Sequence, residues 1–355
     1  MPRTVVAEAV PLDASLTSYR PAAFSRFLAW VDGLPWHGWW VFPLLAAALF
    51  AWTHAILWAT GQVPVGTIQP VLAASVFYGP FTLAALAYVN RTSARALAAF
   101  WPATGWPDAD RERWRYAFTT SPSGYGVIAL LVGAAAAIGA FVSAGPAGLG
   151  VGDRTVLFIA YLPPALFGYS MIPVAVIHTY RQLRLVARIH REARAIDPFD
   201  RVPLYAFSAL TARTGLAYVI SGYYAIAVQG QFQAGNPIAL VALSVTFGFG
   251  IASFVLPLWG IHDRLGREKE QLLREVERRL ASLGEEMYRR IDAGQFDGTK
   301  VVSEALAGVL ALRERIVRLP TWPWPPQVFR GFFSALLLPV VVYLVSRLIG
   351  GRIGA

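Results

Sequence analysis

The 355-residue chain is 56% hydrophobic and only 15% charged, carries a formal net charge of +10 and contains no cysteine. An apolar excess of this size, with the charges gathered into blocks, excludes an ordinary soluble domain and points to a polytopic helical membrane protein. Without cysteine there is no disulfide, no thiolate nucleophile and no thiolate metal site.

In chain order, residues 1–38 mix polar and apolar side chains, and no Ala-x-Ala site follows a short apolar core, so no cleavable signal peptide is expected. Phe24, Phe27, Leu28 and Val31 recur at helical spacing, with Ser25, Arg26 and Asp32 on the other side. That pattern predicts a short helix lying on the membrane surface. Apolar runs follow at 41–59, 67–89, 125–143, 155–179, 204–228 and 237–260, each long enough to cross a hydrocarbon core of roughly 30 Å. The run at 155–179 continues into a basic helix reaching Arg194, and the one at 237–260 continues further.

From Leu265 the residues Leu272, Val276, Leu280, Leu283, Met287 and Ile291 recur every three, four or seven positions among Arg and Glu, which is a helical stripe. After the breaker Asp297-Gly298, Val302, Leu306 and Val309 mark a second helix. The two stripes can bury each other or be shared with a neighbouring subunit. A Trp/Pro joint at 321–326 leads into a last apolar run, 331–349. The expected fold class is therefore all-α: seven transmembrane helices and a cytoplasmic helical hairpin. The regions are 1–260 (surface helix and spans one to six), 261–320 (hairpin) and 321–355 (joint and span seven).

Orientation follows from lysine and arginine. An inside N-terminus places 27 of the 31 Lys and Arg residues on the cytoplasmic side. The expectation is an integral protein of the plasma membrane with its N-terminus in and its C-terminus out, in contact with anionic lipid at the inner face. This explains the sequence pI near 10.1 without nucleic acid. Tryptophans at 39, 40, 58, 101, 106, 114, 259, 322 and 324 fall near span ends or in joints, where indole favours the headgroup region.

Chemistry-bearing residues are few. All 21 acidic residues lie outside the seven runs, which argues against a coupled pump. Lys269 and Lys300 both lie in the hairpin, so no span offers an amine for a Schiff base. No His-Glu-x-x-His or phosphate-binding loop occurs, and no cofactor, metal or catalytic constellation is expected. His190, in Ile-His-Arg-Glu-Ala-Arg, is read as part of a solvated basic face and not as a phosphoacceptor. His54 and Arg213 are the candidate intramembrane polar contacts, His54 between helices and Arg213 reaching the inner interface or a lipid phosphate. Interior prolines, among them Pro80, Pro163, Pro164, Pro173, Pro257 and Pro339, each leave a carbonyl for water, an ion or a neighbouring side chain.

Seven runs, an inside N-terminus, cytoplasmic extensions of spans four and six, and a last span re-entering from a cytoplasmic helix resemble the layout of the seven-transmembrane ion-channel superfamily of insect odorant and gustatory receptors. That family's last span usually carries Thr-Tyr and a later Gln-Phe. Here it holds an isolated Tyr343, so no functional residue is carried over. The resemblance implies a non-catalytic, homo-oligomeric channel with span seven near the axis. Ser334, Pro339, Tyr343, Ser346 and Arg347 would then be the pore or gating positions, Arg347 favouring anions at the outer mouth. The alternative is a membrane sensor or scaffold whose hairpin binds a cytoplasmic partner. An intramembrane enzyme acting on lipid lacks a visible acid, base or metal site. Topology is directly testable: Gly148→Cys and Asn236→Cys will react with an impermeant maleimide from outside and Ala281→Cys will not, and reversed labelling overturns the orientation.

Overall fold

The computed structural model describes residues 19–35, 38–148, 151–193, 197–233, 237–337 and 341, with 143–148, 201, 228–233, 237–240 and 297 in backbone only. The described residues form α1 (Ala23–Asp32), α2 (Val41–Ala59), α3 (Pro70–Phe100), α4 (Arg111–Thr119), α5 (Ser123–Gly148), α6 (Arg154–Glu192), α7 (Arg201–Tyr205), α8 (Ser208–Gln233), α9 (Pro237–Asp292) and α10 (Thr299–Val317). A further helix, α11, covers 326–337. Among these residues there is no strand, only an isolated bridge between Pro21 and Pro122.

Five helical stretches, Gly38–Ala59, Pro70–Thr104, Ser123–Val142, Arg154–Glu192 and Val241–Asp292, are long and apolar enough to cross a membrane. Among the described residues the count by length and composition is thus five, against the seven expected. α8 is 26 residues long but interrupts its apolar character with Arg213 and a series of Thr, Ser and Tyr. The run 331–349 is described only to 337 and at 341. The expected span at 204–228 is not one helix: α7 ends at Tyr205, and a turn at 206–207 precedes α8. Ser208 sits at the restart and its Oγ donates to the Tyr205 carbonyl at 2.6 Å. No break separates residue 260 from 261, because α9 runs for 56 residues from the apolar region into the charged stripe.

α3 and α6 are central, with 50% and 44% of their most apolar windows buried, whereas α2 and α9 bury 28% and α5 22%. The outer faces are apolar, as at Leu44, Leu131, Val245 and Leu256. Apolar surface of this extent is compatible with an integral membrane protein. Close approach of helix axes is set by glycine at two places. A Cβ at Gly133 of α5 would stand 2.3 Å from Ser170 Cα of α6, and one at Gly215 of α8 2.6 Å from the Gly250 carbonyl oxygen of α9.

α6 stays helical through Pro163, Pro164 and Pro173. Each proline lacks the N–H that would bond the carbonyl four residues back, so Pro163 and Pro164 free the carbonyls of Ile159 and Ala160. α2 supplies the missing donors: Trp52 Nε1 donates to the Ile159 oxygen at 3.3 Å and Thr53 Oγ1 to the Ala160 oxygen at 3.2 Å. The neighbouring His54 is buried and uses both ring nitrogens, Nδ1 donating to the Phe50 carbonyl at 3.2 Å and Nε2 accepting from the Gln69 backbone N–H at 3.2 Å. α2 is thereby fastened to α6 on one side and to the start of α3 on the other.

A second polar assembly joins α3, α6, the α4–α5 connection and the chain before α1. Asn90 Nδ2 donates to the Thr119 carbonyl at 3.2 Å, which turns Asn90 Oδ1 towards His178 Nε2 at 2.7 Å. Nε2 therefore carries the proton, and Nδ1 accepts from the Ser121 hydroxyl at 2.9 Å. Arg181 donates to the Thr120 carbonyl at 2.8 Å and to Tyr19 Oη at 3.2 Å. Tyr116 Oη donates to the Tyr19 carbonyl at 2.9 Å and Ala22 N–H to the Ser121 carbonyl at 2.8 Å. α1 is held against the bundle with Ser25, Leu28 and Val31 inward, and Asp32 pairs with Arg91 of α3 at 2.6 Å.

Beyond the bundle, α10 packs against α9, but of the two stripes beyond Leu265 only Val276 and Val302 are buried, while Leu272, Leu280, Leu283, Met287, Leu306 and Val309 stay half-buried and Ile291 exposed. Arg313 pairs with Glu277 at 3.6 Å, and Lys269 Nζ caps the end of α10 through the Val317 and Leu319 carbonyls at 2.6 and 2.9 Å. The proline-freed carbonyls give a direct test. Thr53→Val will lower thermal stability in detergent by about 1 kcal/mol. The loss will shrink in a Pro164→Ala background, where the restored N–H competes for the same oxygen; equal losses in both backgrounds would sever the link between Thr53 and Pro164.

Candidate functional site

Facing positions of α3, α6, α8 and α9 enclose a cavity of about 460 Å³, partly open to the outside. Its volume lies within the roughly 300–1,000 Å³ of small-ligand pockets. α3 presents Ser75, Tyr78, Thr82, Ala85 and Val89 at three- and four-residue spacing. α6 adds Tyr161, Ala165, Gly168, Tyr169 and Thr179, α8 adds Thr214, Ala217, Tyr218 and Ser221, and α9 adds Leu243, Thr246 and Phe249. Small residues on α6 and α8 leave the space, while tyrosines on three helices supply its walls and hydroxyls. Among the described residues no charged side chain lines it.

Several of the hydroxyls are already engaged. Tyr218 Oη donates to Thr179 Oγ1 at 3.2 Å, with its ring edge-on to Phe249 at 4.8 Å. Tyr224 Oη donates to the Ala74 carbonyl. Thr82 and Ser221 bond the carbonyls of Tyr78 and Ala217 at 2.9 and 2.8 Å. Thr214 is different: it is 1% exposed, and its Oγ1 has no hydrogen-bond partner among the described residues. The arrangement suits a lipophilic molecule with one or two polar atoms, since an apolar wall supplies affinity and isolated hydroxyls orientation.

The candidate site residues fall in separate places. His54 is fully engaged between α2 and α3 and does not line the cavity. Arg213 lies just beyond the cavity's Thr214 end: its Nη1 donates to Thr92 Oγ1 at 3.1 Å, and its guanidinium stands 5.1 Å from the centre of the Tyr88 ring. Ser334 is exposed on α11. Pro339, Tyr343, Ser346 and Arg347 lie outside the described residues. His190, expected on a solvated face, is instead 2% exposed, wedged edge-on between the rings of Phe100 and Phe207 at 4.9 and 5.2 Å. Burial of that kind keeps it from any phosphate donor.

α9 links the cavity to the joint. Below Phe249, its Phe254 stacks on Trp324 at 4.8 Å and on Phe332 of α11 at 4.3 Å. Trp322 stacks on Trp324 at 4.8 Å and on His262 of α9 at 3.8 Å, and His262 Nδ1 donates to the Thr321 carbonyl at 3.1 Å. The joint is therefore a continuous aromatic stack against α9. Trp101, Trp114 and Trp324, expected at the headgroup level, are 5%, 1% and 8% exposed and belong to this packed core. Higher up, Tyr223 Oη of α8 holds the Leu336 carbonyl of α11 at 2.5 Å.

No protein-family model matches the chain, and no curated protein or solved structure matches it.

Sequence reasoning passed over the tyrosines and threonines of the cavity and the Asn90–His178 pair. Ser75, Tyr78 and Thr82, hydroxyls at helical spacing inside an apolar run, were the signal available. For the joint, two stacked contacts at about 0.5–1.5 kcal/mol each tie Trp324 in place. Trp324→Leu will accelerate amide exchange across 326–337 by roughly tenfold or more, with the buried part of α9 unaffected. Unchanged exchange there would mean that α11 is held by its other contacts alone.

Proposed function

We propose that this is a non-catalytic, ligand-responsive integral membrane protein that holds a small lipophilic molecule in the cavity between α3, α6, α8 and α9. The observation that carries the reading is that cavity, together with the fact that one of its four walls is α9. The same rigid helix continues to the α10 hairpin and the aromatic joint, so a shift of α9 on ligand entry is delivered to α11 without a flexible link.

In this reading the chain crosses the plasma membrane seven times, with α8 and the run 331–349 as spans five and seven and the N-terminus inside. The charged part of α9 beyond residue 260 and α10 form the cytoplasmic lever, and anionic lipid contacts the inner face. The output is a homo-oligomeric channel whose last span lines the path, with Ser334, Pro339, Tyr343, Ser346 and Arg347 as its pore or gating positions. The exposed face of α11 at Ser334 and Leu337 favours this output, because it is left free for lipid, a partner copy or an axial path. Signalling to a cytoplasmic partner through the lever is the output that remains if no current flows.

Purified full-length protein in nanodiscs will bind the neutral dye Nile red saturably above protein-free discs, and Ala217→Trp, which fills the cavity, will abolish that binding. In planar bilayers the wild type will conduct, with a current that changes on adding the dye. Dye binding that Ala217→Trp leaves intact rejects the cavity as a ligand site. Binding without conductance rejects the channel and retains the sensor.

A further inference from the structure

We propose that the cavity's occupant is an anionic amphiphile, its apolar body among α3, α6, α8 and α9 and its carboxylate or phosphate head held by Arg213. This rests on the cavity being a ligand site and adds the charge of the ligand and the end at which its head lies.

The α3, α6 and α8 walls all finish at the same end, with Val89, Thr179 and Thr214. Thr92 lies three residues beyond Val89 on the same face of α3 and holds the Arg213 guanidinium at 3.1 Å. Because the Thr92 hydroxyl donates its own proton to the Tyr88 carbonyl at 2.9 Å, it accepts from Arg213 and fixes the guanidinium just below the cavity floor. Arginine offers five N–H donors in a planar fork. Among the described residues Arg213 has that one hydrogen bond and the Tyr88 ring face, and no carboxylate pairs with it.

A half-buried guanidinium with free donors is matched by an oxyanion, which accepts two parallel N–H bonds. The buried, unpartnered Thr214 Oγ1 stands beside it in sequence at the same end of the cavity and offers a further donor. Arg95, exposed and one turn beyond Thr92 on α3, adds positive potential without an ion pair among the described residues. In the proposed orientation this end faces the inner leaflet, where carboxylate and phosphate groups of lipids lie. A neutral polar atom can accept one bond from Thr214 or Arg213, but it leaves the guanidinium charge and its paired donors unmatched.

The test uses full-length protein in phosphatidylcholine nanodiscs and two probes of equal chain length, palmitate and hexadecanol. Palmitate is expected to bind more tightly. Arg213→Gln will weaken palmitate about tenfold, the loss of one charge-assisted pair, while leaving hexadecanol unchanged, which also shows that the variant is folded. Arg213→Lys will keep most of the preference. Competition by lysophosphatidate assigns the head to a lipid phosphate; palmitate binding without such competition assigns it to a free carboxylate. Equal palmitate binding by wild type and Arg213→Gln overturns the proposal, leaving Arg213 as a snorkelling side chain and the cavity as a neutral-ligand site. Binding of neither probe removes the cavity reading as well.

Discussion

The constraint on which the rest depends is that a helix bundle with an apolar exterior must meet its polar groups from within. A carbonyl freed by proline in hydrocarbon costs several kcal/mol if left alone. At Pro163 and Pro164 that need becomes an interhelical bond, because adjacent donors on α2 occupy the two adjacent freed oxygens. The prolines thus dictate which face of α2 meets α6, and with that face fixed, His54 falls where it can bond the start of α3. What reads in the sequence as two weak points in a helix is, in three dimensions, the register mark for its neighbour.

The same logic separates structure from candidate function. His178, Asn90 and Ser121 form a closed set in which every donor has an acceptor. Closed networks of this kind rigidify a core and leave little for a ligand. The adjoining cavity is its opposite: largely apolar walls, Thr82 and Ser221 bonded back to their own helices, and one buried threonine, Thr214, with no partner among the described residues. A rigid floor beneath an incompletely satisfied pocket is the arrangement expected where binding must move one wall and not the others. Of the three apolar helices that wall the pocket, α9 is the least buried, at 28% of its most apolar window against 50% for α3 and 44% for α6.

Much of this architecture was legible in the sequence because length and hydropathy are local properties. The runs at 41–59 and 125–143 and the start of 155–179 correspond to α2, α5 and α6 within a few residues. That both stripes, in α9 and α10, are helical was legible for the same reason. The break before α8 was not, since it depends on Phe207 turning into a cluster of Phe100, Phe118 and His190 from three other elements. Burial of Trp101, Trp114 and Trp324 was hidden likewise, because an indole beside a proline or within a charged run looks interfacial until the aromatic partners that cover it are known. The cavity was hidden most deeply: a void is defined by what four helices fail to fill, and only the spacing of its hydroxyls is written in any one of them.

Arg181 and Arg213 show how the same residue type acquires different duties near one level of the bundle. Arg181 bonds a backbone carbonyl, a serine and a tyrosine hydroxyl, and its guanidinium lies 5.2 and 5.7 Å from the rings of Tyr19 and Tyr125. Three of its five donors are occupied, and its charge is spread over dipoles and ring faces that hold the chain before α1 in place. Arg213 has one hydroxyl and one ring. Both pay a desolvation penalty for partial burial, and among the described residues Arg181 recovers more of it than Arg213 does. Among the described residues nothing else meets Arg213, and water and headgroups reached by snorkelling, or an anion brought by a ligand, would supply compensation from outside. Its position beneath a cavity of ligand size, beside a threonine with an unused hydroxyl, favours the second source.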